Sequence, residues 1–296
     1  MKTRRQKETS TSSFGVSARI GHNAEQFYNS NLYNGIELNE VEDKSYNLLP
    51  IDSLNKVYTH SSEKMVELPD NSVHLMITSP PYNVTKEYDQ NLTLQQYISL
   101  LENVMRETYR VLINGGRACV NIANVGRKPY IALTDHINRI MLDLGFNYRG
   151  QIIWDKAASA GGSCAWGSWQ SASNPSLRDV HEYILVFSKG DLKRPKGEDT
   201  ISKEDFLEWT KSIWKMKTES AKRVKHPAPF PEELPHRLIN LYSFKGDVVL
   251  DPFMGSGTTA VAALKNGRNF VGYEISEEYA QISQTRINAI KPELKL

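Results

Sequence analysis

Apolar residues along this chain fall into short unbroken runs, separated by stretches in which they recur every three or four positions. The runs at 73–77 (interrupted by His74), 119–122, 148–154, 183–187, 248–250 and 270–273 predict buried strands, and 56–59 a shorter one. Helical spacing marks Leu94, Ile98, Leu101, Met105 and Leu112, a stretch that ends at Asn114-Gly115-Gly116. It marks 131–144 as well, stopped by Gly145, and 203–214, 232–242 and 259–265. Pro235 is tolerable in the fourth of these helices because it falls near the first turn. A last helix begins after Ser276, with Glu277 and Glu278 in a first turn that favours negative charge. Strands alternating with helices imply an α/β chain built on an open, mostly parallel sheet with both faces covered.

Three stretches lack either period. Residues 1 to about 20 are basic and then Ser/Thr-rich, with little to bury, and are expected to be mobile. Residues 21–54 are polar with scattered Tyr and Leu and suggest no role, so 1–54 reads as an extension and 55–296 as the main domain. Between two predicted strands, 157–179 is rich in Ser, Gly and Ala and carries Trp166 and Trp169. A loop of this length is functional or disordered, and its indoles either pack back on the body or meet a ligand. From 191 to 225 the chain is basic, with Lys193, Arg194, Lys215, Lys217 and Arg223 among its cations. A solvated face is the plain alternative for any one of them.

Length and composition narrow the class. A chain of 296 residues forms one large α/β domain with an insertion, or two small domains. Its 40% hydrophobic content fits a soluble globular protein, and no run is long enough to span a bilayer. The basic N-terminus has no apolar core after it, which argues against a secretory signal. Cys119 and Cys164 are the two cysteines. They argue against a disulfide framework and against a metal site, and fit a reducing, cytoplasmic compartment. With a net charge of +2, a nucleic-acid binder of this composition must concentrate its basic residues on one face.

The chemistry is concentrated in two motifs. The first strand run ends at Thr78-Ser79-Pro80-Pro81-Tyr82-Asn83. Two prolines cannot donate to a sheet ladder, so the strand stops in a rigid bend bearing a hydroxyl, proline carbonyls and an aromatic ring. Such a bend can hold an amino group between acceptors while the ring lies against its base; an ordinary strand-ending turn is the alternative. The second motif, Asp251-Pro252-Phe253-Met254-Gly255-Ser256-Gly257-Thr258-Thr259, follows a strand and opens a helix. This is the layout in which a nucleotide-like cofactor meets a sheet edge. Glu274, ending the next run, stands where an acid can bind ribose hydroxyls.

Together these motifs resemble the permuted (beta) class of amino-methylating DNA methyltransferases, in which S-P-P-Y precedes D-P-F-x-G-S-G-T-T. His226-Pro227-Ala228-Pro229-Phe230-Pro231, just upstream of the second motif, matches a third element of that class. The resemblance covers roughly residues 55–290. It implies a Rossmann-like S-adenosylmethionine-dependent methyltransferase fold, with a mostly parallel seven-stranded sheet, circularly permuted, and a DNA-recognition insertion at 157–225. It assigns Ser79, Pro80, Pro81 and Tyr82 to catalysis, and Thr78, Phe230, His226, Pro227, Asp251, Phe253, Gly255, Ser256, Gly257, Thr258 and Glu274 to the cofactor. Family members often carry an acid after the first strand; this chain has Thr59-His60. Either His60 or Ser61 then lines the site, or His60 is a surface residue on a turn. Trp166, Trp169, Lys193, Arg194, Lys215, Lys217 and Arg223 become candidates for double-stranded DNA contact.

The implied reaction is methylation of the exocyclic amino group of a flipped base, with cytosine N4 favoured by the S-P-P-Y form and adenine N6 as the alternative. Methylation of RNA or of a protein glutamine, and a catalytically silent DNA-binding protein, are the other readings. The resemblance leans towards a short palindromic target and a restriction-modification context. Any cognate endonuclease would not be physically required, and the chain would act as a monomer or homodimer away from membranes.

Overall fold

The computed structural model describes residues 28–82, 91–156, 167–219 and 230–290. The expected mobile tail, Asn83, Cys164, Trp166, Arg223, His226 and Pro227 lie outside them. The chain divides after Leu38 rather than after residue 54. The first unit is described by a 3-10 turn, Asn31–Tyr33, with Tyr28 and Tyr33 edge to face at 5.1 Å. Residues 39–54 belong to the second unit because their polar groups are used there. Asn39 and Asn147 exchange hydrogen bonds, Lys44 pairs with Asp191, and Asn47 donates to the carbonyl of Asp70.

Eight strands form one sheet: β1 (Lys56–Tyr58), β2 (Val73–Thr78), β3 (Leu112–Ile122), β6 (Phe146–Asp155), β7 (His181–Lys189), β8 (Ile213–Lys215), β9 (Val248–Asp251) and β10 (Asn269–Tyr273). Their order is β1-β10-β9-β2-β3-β7-β6-β8. Every pairing is parallel except those that β7 makes with β3 and β6. A separate two-stranded ribbon joins β4 (Val125–Gly126) to β5 (Tyr130–Ile131). Among the described residues the helices are α1 (Leu94–Val111), α2 (Leu133–Asp143), α3 (Lys203–Trp209), α4 (Glu233–Tyr242), α5 (Thr258–Lys265) and α6 (Glu277–Ile290).

The sheet has one strand more than the seven expected, and the extra one comes from the stretch read as helix to residue 214. That helix stops at Trp209, where the Thr210 hydroxyl donates back to the Phe206 carbonyl. Beyond it Ile213-Trp214-Lys215 alternates exposed, buried, exposed, a period of two that suits a sheet edge. Trp214 is buried, and its indole donates to the Trp209 carbonyl at 3.0 Å.

Side chains alternate along the strands into two cores. On β2, Val73 and Met76 join a cluster under α1 and α2, whereas Leu75 and Ile77 join one under α4, α5 and α6. A capping box at Thr93 and Gln96 starts α1, and its Leu101, Val104 and Met105 supply the buried stripe. Because β2, β3, β9 and β10 run parallel, their C-terminal ends share one edge, where an open α/β sheet receives its ligand. His74 enters at the other end of β2: its Nδ1 accepts the Val248 N–H at 3.1 Å, and its Nε2 lies 3.4 Å from Asp247.

Candidate active site

The two motifs meet through a buried carboxylate. Asp251, the last residue of β9, accepts the Thr78 hydroxyl on Oδ1 and the Thr259 hydroxyl on Oδ2, both at 2.7 Å. The Phe253 N–H reaches Oδ1 at 3.2 Å. Burial pushes its carboxyl up to about 6, against these three donors, which pull it down. Asp251 is therefore a tie between the strand leading to Ser79 and the helix following the glycine turn. Thr78 and Asp251, assigned to cofactor contact, sit behind the cavity wall instead of forming it.

The glycine turn is held from two sides. Gly255 adopts φ +51° and its N–H donates to Glu274 Oε2 at 2.7 Å, while Glu274 Oε1 accepts the Ser276 N–H at 2.9 Å. Arg286 of α6 donates to the Ser256 carbonyl at 2.6 Å. Gly257 serves packing rather than ligand approach. At φ +78° it has no room for a side chain, since a Cβ there would stand 2.8 Å from that of Ser283. Burial raises the Glu274 carboxyl, and the backbone N–H groups around it act in the opposite direction.

A cavity of about 410 Å³ opens between this turn and the Pro-Pro bend. One wall carries Phe253, Gly255, Ser256, Thr258 and Glu274, with Phe230 nearby, and the other carries Ser79, Pro80, Pro81 and Tyr82. Ser61 and His60 both line it. Burial draws the His60 imidazole down, but the Ser61 carbonyl and the Glu67 carboxylate, 2.8 Å from Nε2, outweigh it and leave it raised. Glu63 supplies an acid at this wall three residues after His60, held by Asn103 and Ser61.

The wall around Tyr82 contains residues that the motifs did not reveal. The Tyr82 hydroxyl donates to Glu182 Oε2 at 2.8 Å, and the Asn121 Nδ2 donates to the same oxygen at 2.6 Å. Asn121 Nδ2 also lies 3.4 Å from Ser79 Oγ. The other oxygen of Glu182 pairs with Lys156 at 2.5 Å. Burial, with Glu182 beside it, raises the Tyr82 phenol well above its ordinary value. The sequence signal was present but quiet: a lone Asn inside an apolar run, and an acid and a lysine at strand ends facing the same edge.

The basic candidates separate. Lys215 and Lys217 are exposed, and the chain running on from β8 carries Thr218 and Glu219 into the cavity wall. Trp169 is exposed on the loop before β7. Lys193 and Arg194 lie at the opposite end of the sheet, beside Gly115 near the start of β3. Arg194 is also unavailable to a phosphate, because its guanidinium donates twice to Asp247 at 2.7 and 3.0 Å, both side chains being nearly buried.

A sheet with one reversed strand, and a Pro-Pro-Tyr bend facing a glycine turn across one cavity, define a permuted methyltransferase of the amino-group class. The chain belongs to the N6/N4 DNA methylase family, whose model matches residues 73–285. It is 32% identical over 282 residues to the type II methyltransferase M.MjaI of Methanocaldococcus jannaschii, covering 81% of this chain and 93% of that protein. A Thermus thermophilus protein assigned as a DNA modification methylase, solved in complex with S-adenosyl-L-methionine, is 31% identical. It superposes with a TM-score of 0.64 over 79% of this chain and 93% of its own. The cytosine-N4-specific PvuII DNA methyltransferase, at 21% identity, shares the fold with the same score over 79% of this chain and 86% of its own.

Proposed function

We propose that this chain methylates the N4 amino group of cytosine in double-stranded DNA, with S-adenosylmethionine as the methyl source. The observation that carries the reading is the single cavity with the Ser79-Pro80-Pro81-Tyr82 bend on one wall and the Glu274-braced glycine turn on the other. The second wall suits the cofactor: a carboxylate at a strand end, a helix N-terminus and the apolar faces of Phe253, Phe230 and Ile275 match a nucleoside with a charged tail. Glu274, Gly255, Ser256 and Thr258 would hold it, and Glu63, Ser61 or His60 would meet its far end. When bound, it supplies an electrophilic methyl group.

An exocyclic amino nitrogen is a weak nucleophile because its lone pair is delocalised into the ring. Ser79 Oγ and the Pro80 carbonyl accept its two hydrogens, favouring a tetrahedral nitrogen at the moment positive charge develops there. The target base is out of reach inside the duplex, so it is flipped out and stacked on Tyr82. Chemistry alone serves cytosine and adenine alike; Ser79 as the first residue of the bend supports N4. Segment 215–219, which runs into the cavity wall at Thr218 and Glu219, and the loop leading into β7, whose Glu182 lines the cavity, are the proposed DNA-facing elements. Any cognate endonuclease is a separate chain.

Incubating the purified chain with DNA and labelled cofactor, then digesting to nucleosides, tests this directly. N4-methylcytosine is expected. Methyladenine without methylcytosine overturns the choice of base, and no methylated nucleoside overturns the function.

A further inference from the structure

The reaction leaves one proton to be placed. An amino nitrogen that gains a methyl group must lose one of its hydrogens, and Ser79 Oγ can take it only if it releases its own proton. Asn121 cannot receive that proton. Its Nδ2 is fixed as a donor by the 2.6 Å bond to a Glu182 carboxylate oxygen, and this same nitrogen faces Ser79 Oγ. The phenol can receive it. Tyr82 already donates its hydroxyl proton to Glu182, and its oxygen and Ser79 Oγ both face Asn121 Nδ2, at 3.5 and 3.4 Å; a lone pair is left for the neighbouring Ser79 hydroxyl, which acts to lower the phenol. Glu182 is almost buried, accepts from the phenol on one carboxylate oxygen and pairs with Lys156 through the other.

We infer that Ser79, Tyr82 and Glu182 form a proton relay that carries the leaving amino proton from the base to the Glu182–Lys156 pair. This rests on the function proposed above. As the nitrogen is methylated, one N–H bond breaks and its electron pair stays on nitrogen. The proton passes to Ser79 Oγ, the Ser79 hydroxyl proton to the Tyr82 oxygen, and the Tyr82 proton to Glu182 Oε2. Each hydroxyl finishes with one proton and the carboxylate gains one, which it returns to water once the product base leaves the cavity. Tyr82 is then both the ring that stacks on the base and the middle member of the relay, and Glu182 acts through it as a positioning residue and terminal acceptor.

The relay separates from a merely structural role in the full-length chain with duplex DNA carrying the base found in the nucleoside digest. Tyr82→Phe keeps the ring and removes the transferable proton; Glu182→Gln keeps an acceptor for the phenol and cannot be protonated. Base flipping is read without cofactor, as fluorescence of 2-aminopurine at the target position, and methyl transfer as a single-turnover rate. Both variants are expected to flip the base as the wild type does and to transfer on the order of 10²-fold more slowly, the scale of general acid–base assistance. The double variant should be no slower than the worse single one, because both break one chain. Tyr82→Phe, which leaves no buried charge unpaired, carries the test if Glu182→Gln does not fold. Wild-type transfer by Tyr82→Phe overturns the relay, and so does a loss of flipping equal to the loss of rate, which would make the hydroxyl a ring-orienting group. A wild-type chain that methylates no DNA overturns the functional reading and the relay with it.

Discussion

At the scale of single residues, the site depends on side chains with two duties. Tyr82 is fixed by its hydroxyl and offers its ring to the cavity. Tyr82→Ala removes the ring together with the hydroxyl, and should weaken methylation beyond the loss seen in Tyr82→Phe by the worth of one base–aromatic stack, about 1–3 kcal/mol. Cofactor affinity, measured by calorimetry without DNA, should stay unchanged, because the cofactor wall lies across the cavity. Asp251 shows the limit of reading motifs. Its place in D-P-F-M-G-S-G marked it as important, yet its oxygens are spent on Thr78, Thr259 and the Phe253 N–H. A motif states which residues matter together and not which of them face the ligand. Asn121, Glu182 and Lys156 gave only a quiet signal for a different reason: they converge from three strands, and no local spacing encodes that meeting.

At the scale of elements, the strands were legible because buried parallel strands are continuous apolar runs, and the helices because of their stripe. The element misjudged, β8, is three residues long, too short to show a period before the one preceding it ends. His74 links two strands in a way that pH can probe. Its imidazole is pulled down to about 4, first by burial, with Asp247 opposing and Arg194 assisting. A depressed imidazole means that the unfolded chain binds the proton first as acid is added. Stability present at neutral pH is therefore lost as pH falls from about 6.5 towards 4, by about 2 kcal/mol at pH 5. His74→Asn keeps an acceptor for the Val248 N–H without titrating there. Urea unfolding at pH 7 and pH 5 should show a smaller loss in this variant than in the wild type.

At the scale of the whole molecule, charge is divided between two ends of the sheet, and sequence could not tell them apart because both belong to one basic stretch. On the proposed function, Lys217 and Lys215 stand at the DNA end and Lys193 at the other. Lys217→Ala should lower affinity for any duplex and reduce the slope of log affinity against log salt by about one, whereas Lys193→Ala should change neither. Equal effects of the two in a salt titration would refute this orientation. The Asp251 tie has a consequence for how such a chain can be written in a gene. It joins β2 and β9 side by side across 173 positions of sequence, and β1 lies against β10 from the other end of the chain. Neither adjacency depends on which segment is translated first. Two polypeptides divided between Glu219 and Phe230 would carry six strands and two strands of one sheet, with β9 and β10 slotting between β1 and β2, so their order could be exchanged, or the pieces made separately, while the same edge is rebuilt on meeting.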